Sequence, residues 1–241
     1  VEAELWPNLF LACERRGVPL VLASARLSAK SVARYRRFGR LMRGIFRANV
    51  TIAAQTPVDA GRFVASGAAR SQVHVVGNIK FDVDVGAGVM ERGRALRAGW
   101  GSARPTWAAG STHAGEEEAV LDAHAALLAQ RPDALLLLAP RHPERFEAVA
   151  LLLRRRGFGF ARRSAAAQEG GAPGLVSQVV MVDTVGELGA LYAAADAAFG
   201  GGSLVPIGGH NLLEPAALGL PVLTGPSQTN GREIELLLLT Q

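Results

Sequence analysis

The residues best suited to chemistry in this 241-residue chain lie near its C-terminal end, in a glycine-rich segment at 200–215. Three consecutive glycines follow an apolar stretch, and a second glycine pair precedes His210 and Asn211, with Glu214 about one turn into a predicted helix. Glycines let backbone N–H groups approach an anion closely, and a helix N-terminus carries partial positive charge. The carboxylate of Glu214 can accept hydrogen bonds from paired sugar hydroxyls. The segment therefore predicts a nucleotide-sugar site, with Ser203 and His210 as further candidate contacts.

Two other turns that follow predicted strands carry residues suited to the same ligand. Ser111 and Thr112 lie at one of them, where their hydroxyls can hold a phosphate or only cap the next helix. Pro140 and Arg141 follow the next predicted strand. An arginine there suits a phosphate or base contact, and a surface ion pair with the glutamates that follow it is the structural alternative.

Carboxylates mark two further segments. Thr184 and Glu187 are spaced as the first and last residues of a capping box, and the backbone of the same turn can also contact a nucleotide. Glu2 and Glu4 precede a Trp-Pro pair, where they can do acid–base or electrostatic work or simply begin a charged helix. The sequence contains no Walker loop, no GxGxxG motif and no Ser-His-Asp set at useful spacing.

Composition narrows the class of protein. A hydrophobic content of 49% is enough for a buried core. The single cysteine, Cys13, excludes an internal disulfide and a cysteine-built metal site, and we expect no metal or other cofactor. No apolar run approaches the length of a membrane span. The net charge of +5 is unevenly spread, because ten basic and no acidic residues lie between Arg15 and Arg47. Such a face attracts nucleic acid, anionic lipid or a phosphorylated substrate, or is only a solvated helix face.

Apolar segments of strand length alternate with helical patterns along most of the chain, which predicts an α/β fold with parallel sheets. The alternation is lost at 83–103, which we expect to be a linker. Two Rossmann-like lobes are therefore expected, at 1–82 and 104–241, with ligands at the carboxyl ends of the strands. Within the first, a helical pattern that begins at Ser28 includes Phe38 and Ile45, with arginines between its apolar residues.

Seven segments together resemble one family. The chain is similar to the lipid A 3-deoxy-D-manno-octulosonic acid (Kdo) transferases, which are glycosyltransferases of the GT-B fold. The segments that carry the resemblance occur in the family's order and extend over nearly the whole chain, at 2–10, 19–31, 77–82, 110–118, 140–146, 183–188 and 200–215.

The resemblance implies a reaction and a set of site residues. It implies transfer of Kdo from CMP-Kdo to a phosphorylated lipid A precursor, lipid IVA, in lipopolysaccharide core biosynthesis at the cytoplasmic face of the bacterial inner membrane. It implies that Glu2 and Lys80 stabilise the transition state, with Glu4 a further candidate in that pocket. The residues that it implies as contacts of CMP are Pro140, Arg141, Val185, Gly186, Glu187, Asn211, Leu212, Leu213 and Glu214, with Glu214 on the ribose.

The sequence also departs from the family's pattern. In the family, the general base is a glutamate that lies before the position corresponding to Val1, and so does a membrane-anchoring segment. The family's C-terminal lobe extends past the position corresponding to Gln241. We therefore expect a fragment with an incomplete N-terminal lobe that binds CMP without turnover. The resemblance explains the basic segment at 15–47 as a face for a phosphorylated acceptor at a membrane surface.

Two other hypotheses remain open from the sequence. One is another GT-B enzyme that uses a UDP-sugar, and the other is a nucleotide-binding or nucleic-acid-binding module without catalysis. The family resemblance implies no nucleic-acid partner. A titration with CMP against UDP, or a salt-sensitive affinity for nucleic acid without nucleotide binding, distinguishes these hypotheses.

Overall fold

A computed structural model of the chain describes residues 5–46, 50–81, 85–165 and 177–239. The chain divides into two compact units, Val1–Asp82 (unit 1) and Val83–Gln241 (unit 2). Each unit has its own sheet, and every strand pair that the structure describes is parallel. The predicted α/β class with parallel sheets is confirmed.

Unit 1 contains a three-stranded sheet in the order β1-β2-β3. Its strands are β1 (Leu20–Ala25), β2 (Val50–Ala54) and β3 (Val73–Val75). Its α-helices are α1 (Pro7–Arg15), α2 (Ala29–Arg36), α3 (Gly39–Ile45) and α4 (Pro57–Ala65), and one-turn 3-10 helices lie at Arg70–Gln72 and Ile79–Phe81.

Local sequence explains where the helices of unit 1 begin. The hydroxyl of Thr56 accepts a hydrogen bond from the N–H of Asp59, and Pro57 occupies the first turn of α4, as its fixed φ favours. The long helical pattern predicted between Ser28 and Ile45 is interrupted at Phe38, whose backbone is not helical, so that α2 and α3 are separate. The Phe38 side chain is 57% exposed and does not join the core.

Unit 2 contains a six-stranded sheet in the order β6-β7-β5-β4-β8-β9. Its strands are β4 (Thr106–Thr112), β5 (Leu135–Pro140), β6 (Phe160–Arg162), β7 (Val179–Met181), β8 (Ala197–Gly200) and β9 (Val222–Thr224). Its α-helices are α5 (Ala87–Trp100), α6 (Glu117–Gln130), α7 (Phe146–Arg155), α8 (Leu188–Ala193), α9 (Leu213–Ala217) and α10 (Arg232–Leu239), and a 3-10 turn lies at Pro143–Arg145.

Most of the predicted linker is a helix of unit 2. Helix α5 buries Trp100 in the core and packs against α8, where Gly93 lies so close that an added Cβ would be 2.5 Å from the Cβ of Ala193. Arg97 donates to the carbonyl of Ala194 at 2.9 Å and to both carboxylate oxygens of Asp196. The packed apolar residues Val89, Leu96 and Trp100 are separated by glycines and charged residues, which is why the segment was predicted to be a linker.

The order of the strands defines where a ligand can bind in unit 2. Strand β4 is central, and the chain continues to one side of it through β5 and to the other side through β8. In open parallel sheets, ligands bind at the carboxyl ends of the strands beside such a reversal. The segments that follow β4, β5, β7 and β8 all leave the sheet at this edge, which we call the carboxyl edge.

Candidate functional site

A pocket lies at the carboxyl edge, at the ends of β4, β5 and β7. Among the residues that line it are Ser111, Pro140, Arg141, Thr184, Val185 and Gly186. Four of the predicted CMP contacts and one further candidate, Ser111, are therefore brought together. The physical cause is that parallel strands end at the same edge, so that three motifs far apart in sequence meet there.

The backbone of Ser111 bends sharply at the rim of this pocket. Its φ of 57° is in the left-handed region, which a residue with a Cβ rarely adopts, and the pairing of β4 with β5 shifts register between Gly110 and Thr112. The N–H of Gly201 donates to the carbonyl of Gly110 at 2.9 Å, and a Cβ at Gly201 would lie 2.2 Å from the carbonyl oxygen of Ser111. Backbone strain of this kind is concentrated at binding sites, and here it shapes the pocket wall.

Arg141 is exposed at the same pocket. Its N–H donates to the carbonyl of Thr112 at 2.9 Å, which fixes the backbone from which the guanidinium extends. The structural alternative, an ion pair with a following glutamate, is not what the structure has. Glu147 pairs with Arg162 at 2.7 Å and Glu144 approaches His142 at 3.9 Å, and within the described residues Arg141 forms no ion pair.

The backbone N–H groups of the glycine-rich segment are already occupied by a carboxylate of the chain. Glu116 is fully buried, and its two oxygens accept from the N–H groups of Gly202 at 2.7 Å, Ser203 at 2.9 Å and Leu204 at 2.9 Å. A fourth bond, from the N–H of His113, is 2.9 Å long. The expectation that these N–H groups approach a ligand's anion is therefore wrong, because the Glu116 carboxylate occupies that position.

Two candidate hydroxyls also have internal partners. Ser203 is fully buried, and its Oγ donates to the carbonyl of Gly200 at 2.6 Å and accepts from the N–H of Gly225 at 2.9 Å. Thr112 is fully buried, and its hydroxyl donates to Glu117 at 3.3 Å. Both therefore serve to hold loops together, and Ser111 is the residue of this group that lines the pocket.

At the start of α9, two side chains make polar contacts and two others are buried. Asn211 accepts from the N–H of Leu213 at 3.0 Å and donates through Nδ2 to Glu214 at 3.2 Å. Leu212 and Leu213 are buried, so any ligand contact by them is through the backbone. Glu214 is half-buried, and its charge adds to burial in raising the pKa of Tyr192.

The turn at 184–187 differs from its predicted capping box. Helix α8 begins only at Leu188, and the hydroxyl of Thr184 donates to the carboxylate of Glu187 instead of capping a backbone group. Arg163 also pairs with Glu187 at 2.9 Å. Val185 is 83% exposed and Gly186 has a φ of 84°, so this turn presents backbone and an apolar side chain to the pocket.

Three histidines cluster beside Arg141, and the sequence had marked only one of them. The Nε2 atoms of His113 and His210 are 2.7 Å apart, and their rings are parallel within 10°. His142 meets the ring of His113 edge-on, with centroids 5.3 Å apart. The feature of the sequence that could have identified His113 as a site residue is its position three residues before Glu116, in a segment that carries the family resemblance.

Unit 1 has its own polar cluster at the ends of its three strands. Gln55 donates to both the carbonyl and the hydroxyl of Ser24, each at 3.0 Å, and that hydroxyl lies 3.3 Å from the Oδ1 of Asn78. Ser24 has a φ of 52°, the same left-handed conformation as Ser111 in unit 2. Lys80 follows in the turn Ile79–Phe81. Sequence patterns did not single out this cluster, because its members come from three separate strand ends.

Some predicted features fall outside what the structure describes. Glu2 and Glu4 lie outside the described residues, and for Lys80 only the backbone is described. Among the residues in the four described ranges, no group of three or more His, Cys, Asp or Glu could hold a metal ion. In the same ranges, no helix combines the length and the apolar character needed to cross a bilayer.

Comparison with known proteins adds independent findings. Residues 1–83 match a family model described as 3-deoxy-D-manno-octulosonic-acid transferase (kdotransferase). The chain is 43% identical over 239 residues to the 3-deoxy-D-manno-octulosonic acid transferase of Haemophilus influenzae, covering 99% of this chain and 55% of that protein. It is 40% identical over 236 residues to the enzyme of the same name from Bordetella pertussis, covering 97% and 54%.

A solved structure is also similar. The C-terminal CMP-Kdo binding domain of WaaA from Acinetobacter baumannii is 33% identical, with a TM-score of 0.59, covering 64% of this chain and 79% of that domain. The chain spans about half the length of the curated relatives that it matches.

Proposed function

Because this chain belongs to the 3-deoxy-D-manno-octulosonic acid (Kdo) transferase family, we propose that it takes part in the transfer of Kdo from CMP-Kdo to a phosphorylated lipid A precursor, lipid IVA. The reaction belongs to lipopolysaccharide core biosynthesis. The observation that carries the proposal is the pocket at the carboxyl edge of unit 2, where Pro140, Arg141, Val185 and Gly186 converge. A relative whose domain binds CMP-Kdo has the same fold.

In the donor site, each part of CMP has a suitable partner. Arg141 supplies a fixed positive charge and a planar set of donors for the phosphate or the base. Glu214, oriented by its hydrogen bond with Asn211, accepts from the ribose hydroxyls. Glu187 is held by Thr184 and Arg163, so its contribution is to fix the turn whose backbone contacts the nucleotide. Leu212 and Leu213 contribute backbone groups.

The two units bind different substrates in this proposal. Unit 2 binds the donor through its residues from about 104 onward, and unit 1 binds the acceptor. We assign Glu2 and Lys80, with Glu4 as a further candidate, to stabilisation of the transition state. A lysine ammonium offsets the negative charge that develops on the donor phosphate as the bond to Kdo breaks.

Nucleotide titration tests the donor assignment. Calorimetric titration of this chain is expected to give tighter binding of CMP than of UMP or UDP. Arg141→Ala is expected to weaken CMP binding by about 10- to 100-fold, since hydrogen bonds to charged groups contribute about 1.5–3 kcal/mol. Arg155→Ala, at an exposed position on α7, is the control and should bind CMP as the unmodified chain does.

A clear preference for UDP would instead support a UDP-sugar enzyme and reject the Kdo assignment. Transfer itself is measured with the whole protein that carries this chain, as the appearance of Kdo on the lipid A precursor. Absence of that product, with CMP binding intact, would contradict the transferase proposal.

The acceptor requires a surface that tolerates phosphates and lipid, and unit 1 has one. Arg26, Lys30, Arg34 and Arg37 are exposed on and beside α2, and the exposed Phe38 follows them. Basic side chains beside an exposed aromatic ring favour the headgroup region of an anionic membrane. We assign this face to the cytoplasmic surface of the bacterial inner membrane, where the acceptor is presented.

Charge reversal tests the membrane assignment. The double variant Arg34→Glu/Arg37→Glu is expected to lower affinity for vesicles containing phosphatidylglycerol at least about tenfold, since each basic residue near such a surface contributes about 1 kcal/mol. The matched control is Arg92→Glu/Arg94→Glu, which makes the same charge change at two exposed positions of α5 in unit 2. Equal losses in both variants would show that only net charge matters, and would reject a specific face on unit 1.

A further inference from the structure

Two histidines that do not line the pocket lie together near Arg141, which does line it. His113 belongs to the turn between β4 and α6, and His210 to the loop before α9. Their Nε2 atoms are 2.7 Å apart, which is the distance of a short N–H···N hydrogen bond. Gly202 allows this approach, because its φ is 72° and a Cβ there would lie 3.0 Å from the ring of His210.

The hydrogen bond determines what the pair can offer to a ligand. In the neutral pair, one ring donates through Nε2 and so has a lone pair at Nδ1, while the other accepts through Nε2 and has its proton at Nδ1. One added proton converts the lone pair to an N–H and leaves the central hydrogen bond intact. Neither Nδ1 atom has a hydrogen-bond partner among the described residues, so the protonated pair presents one N–H donor at each of its outer ends.

Burial and the surrounding positive charges favour the neutral form of the histidine pair when no anion is bound. Burial is the main cause that lowers the pKa of His113, and the positive charges of His142, Arg141 and Arg145 lower it further. Burial also lowers the pKa of His210, followed by its partner ring, Arg141 and His142. Glu116 acts in the opposite direction on both rings. An anion placed among these positive groups offsets their repulsion and favours the added proton.

We propose that His113 and His210 form the anion subsite of the donor site, and that the anionic group of the donor binds there together with one proton taken from solvent. The proton forms an N–H bond at the unprotonated Nδ1, and the donor anion accepts a hydrogen bond from that N–H. Arg141 supplies the permanent charge, and the histidine pair supplies a charge that appears only with the ligand. The inference rests on the proposed function, because CMP-Kdo carries two anions, a phosphodiester and a carboxylate.

Calorimetry in two buffers of different ionisation enthalpy measures the proton directly. The probes are the methyl ester of CMP, which is a phosphodiester, the methyl glycoside of Kdo, which is a carboxylate, and cytidine, which has neither anion. Binding of the anion that occupies the subsite is expected to take up a proton in the window between the lowered pKa of the free pair and the higher pKa of the bound pair. Its affinity falls as the pH rises through this window, by about tenfold in total for a difference of about one pKa unit.

Variants assign the proton to the pair. His113→Gln and His210→Gln are each expected to abolish proton uptake and to flatten the pH profile at the weaker affinity. His142→Gln, which removes the exposed third ring, and His74→Gln, on an exposed strand position of unit 1, should both retain the uptake. A pair with only a structural role would lower the melting temperature in the two glutamine variants without linking binding to a proton.

The outcomes distinguish a failure of the proposed anion subsite from a failure of the proposed function. If cytidine, CMP and its methyl ester all fail to bind, the donor assignment itself is wrong. If the ester binds without proton uptake, and the Kdo glycoside shows none either, only the anion subsite is rejected. Equal proton uptake with cytidine, or loss of proton uptake in His142→Gln, also overturns the anion subsite. The two-buffer measurement uses the unmodified chain, so the decision does not depend on the folding of a variant.

Discussion

Glu116→Gln is expected to destabilise unit 2 by at least about 3 kcal/mol and to weaken CMP binding with it. Each carboxylate oxygen of Glu116 accepts two backbone N–H groups. Whichever oxygen becomes an amide NH₂, two of the four N–H groups lose their acceptor and face another donor. Each bond to a charged acceptor contributes about 1.5–3 kcal/mol, and a buried donor left unsatisfied costs free energy as well. The loop that precedes His210 is thereby released.

Three measurements check this expectation. The thermal transition of unit 2 should move to lower temperature, the amides of Gly202, Ser203 and Leu204 should exchange hydrogen faster, and CMP affinity should fall. Glu118→Gln is the matched control, because it makes the same charge change at an exposed position on α6. If the three amides keep their protection in Glu116→Gln, the carboxylate does not hold the loop as described.

Gly201→Ala is expected to have an effect of similar size for a steric reason. The new Cβ would lie 2.2 Å from the carbonyl oxygen of Ser111 and 2.8 Å from that of Gly110. Both are backbone atoms, so neither can rotate away, and relief requires that β4 separate from the glycine-rich loop. We expect a loss of about 3 kcal/mol or more, the upper end for overpacked sites, together with loss of the pocket.

Gly88→Ala is the control, and we expect it to raise the free energy of unfolding instead of lowering it. A Cβ at Gly88 meets nothing within 4 Å, and the residue lies in α5. Since alanine favours a helix over glycine, this variant is expected to gain about 0.5–1 kcal/mol. Denaturant unfolding of both variants, with CMP titration of each, tests the pair. A Gly201→Ala protein with unchanged stability would show that the strands can part at little cost.

Much of the fold could be predicted because its signals are local. The buried strand at 135–140 is a continuous apolar run, and the strand at 106–112 has an apolar centre at 107–109. The alternation of such segments with helical patterns is enough to predict a parallel sheet. Helix α4 was predictable from Thr56 and Pro57. The segment of helix α5 was predicted to be a linker, because glycines and charged residues separate its packed apolar residues Val89, Leu96 and Trp100.

The site was predicted less completely, and the reason lies in hydrogen-bond partners. The glycines at 200–202 were correctly identified as a place of close backbone approach. The identity of the approaching group was wrong, because Glu116 comes from a segment more than eighty residues earlier. Ser203 and Thr112, two of the candidate hydroxyls, are fully buried, and their hydroxyl groups have hydrogen-bond partners inside unit 2.

The sequence by itself determined the α/β class, the succession of motifs and the family to which they belong, because each depends on residue types at short spacing. Only the tertiary structure decided which polar groups remain available to a ligand. Burial turned Glu116 and Ser203 into internal partners, and the end of the sheet brought Arg141, Val185 and Gly186 to one pocket. It also placed His113 against His210, a contact between residues 97 positions apart that no local pattern encodes.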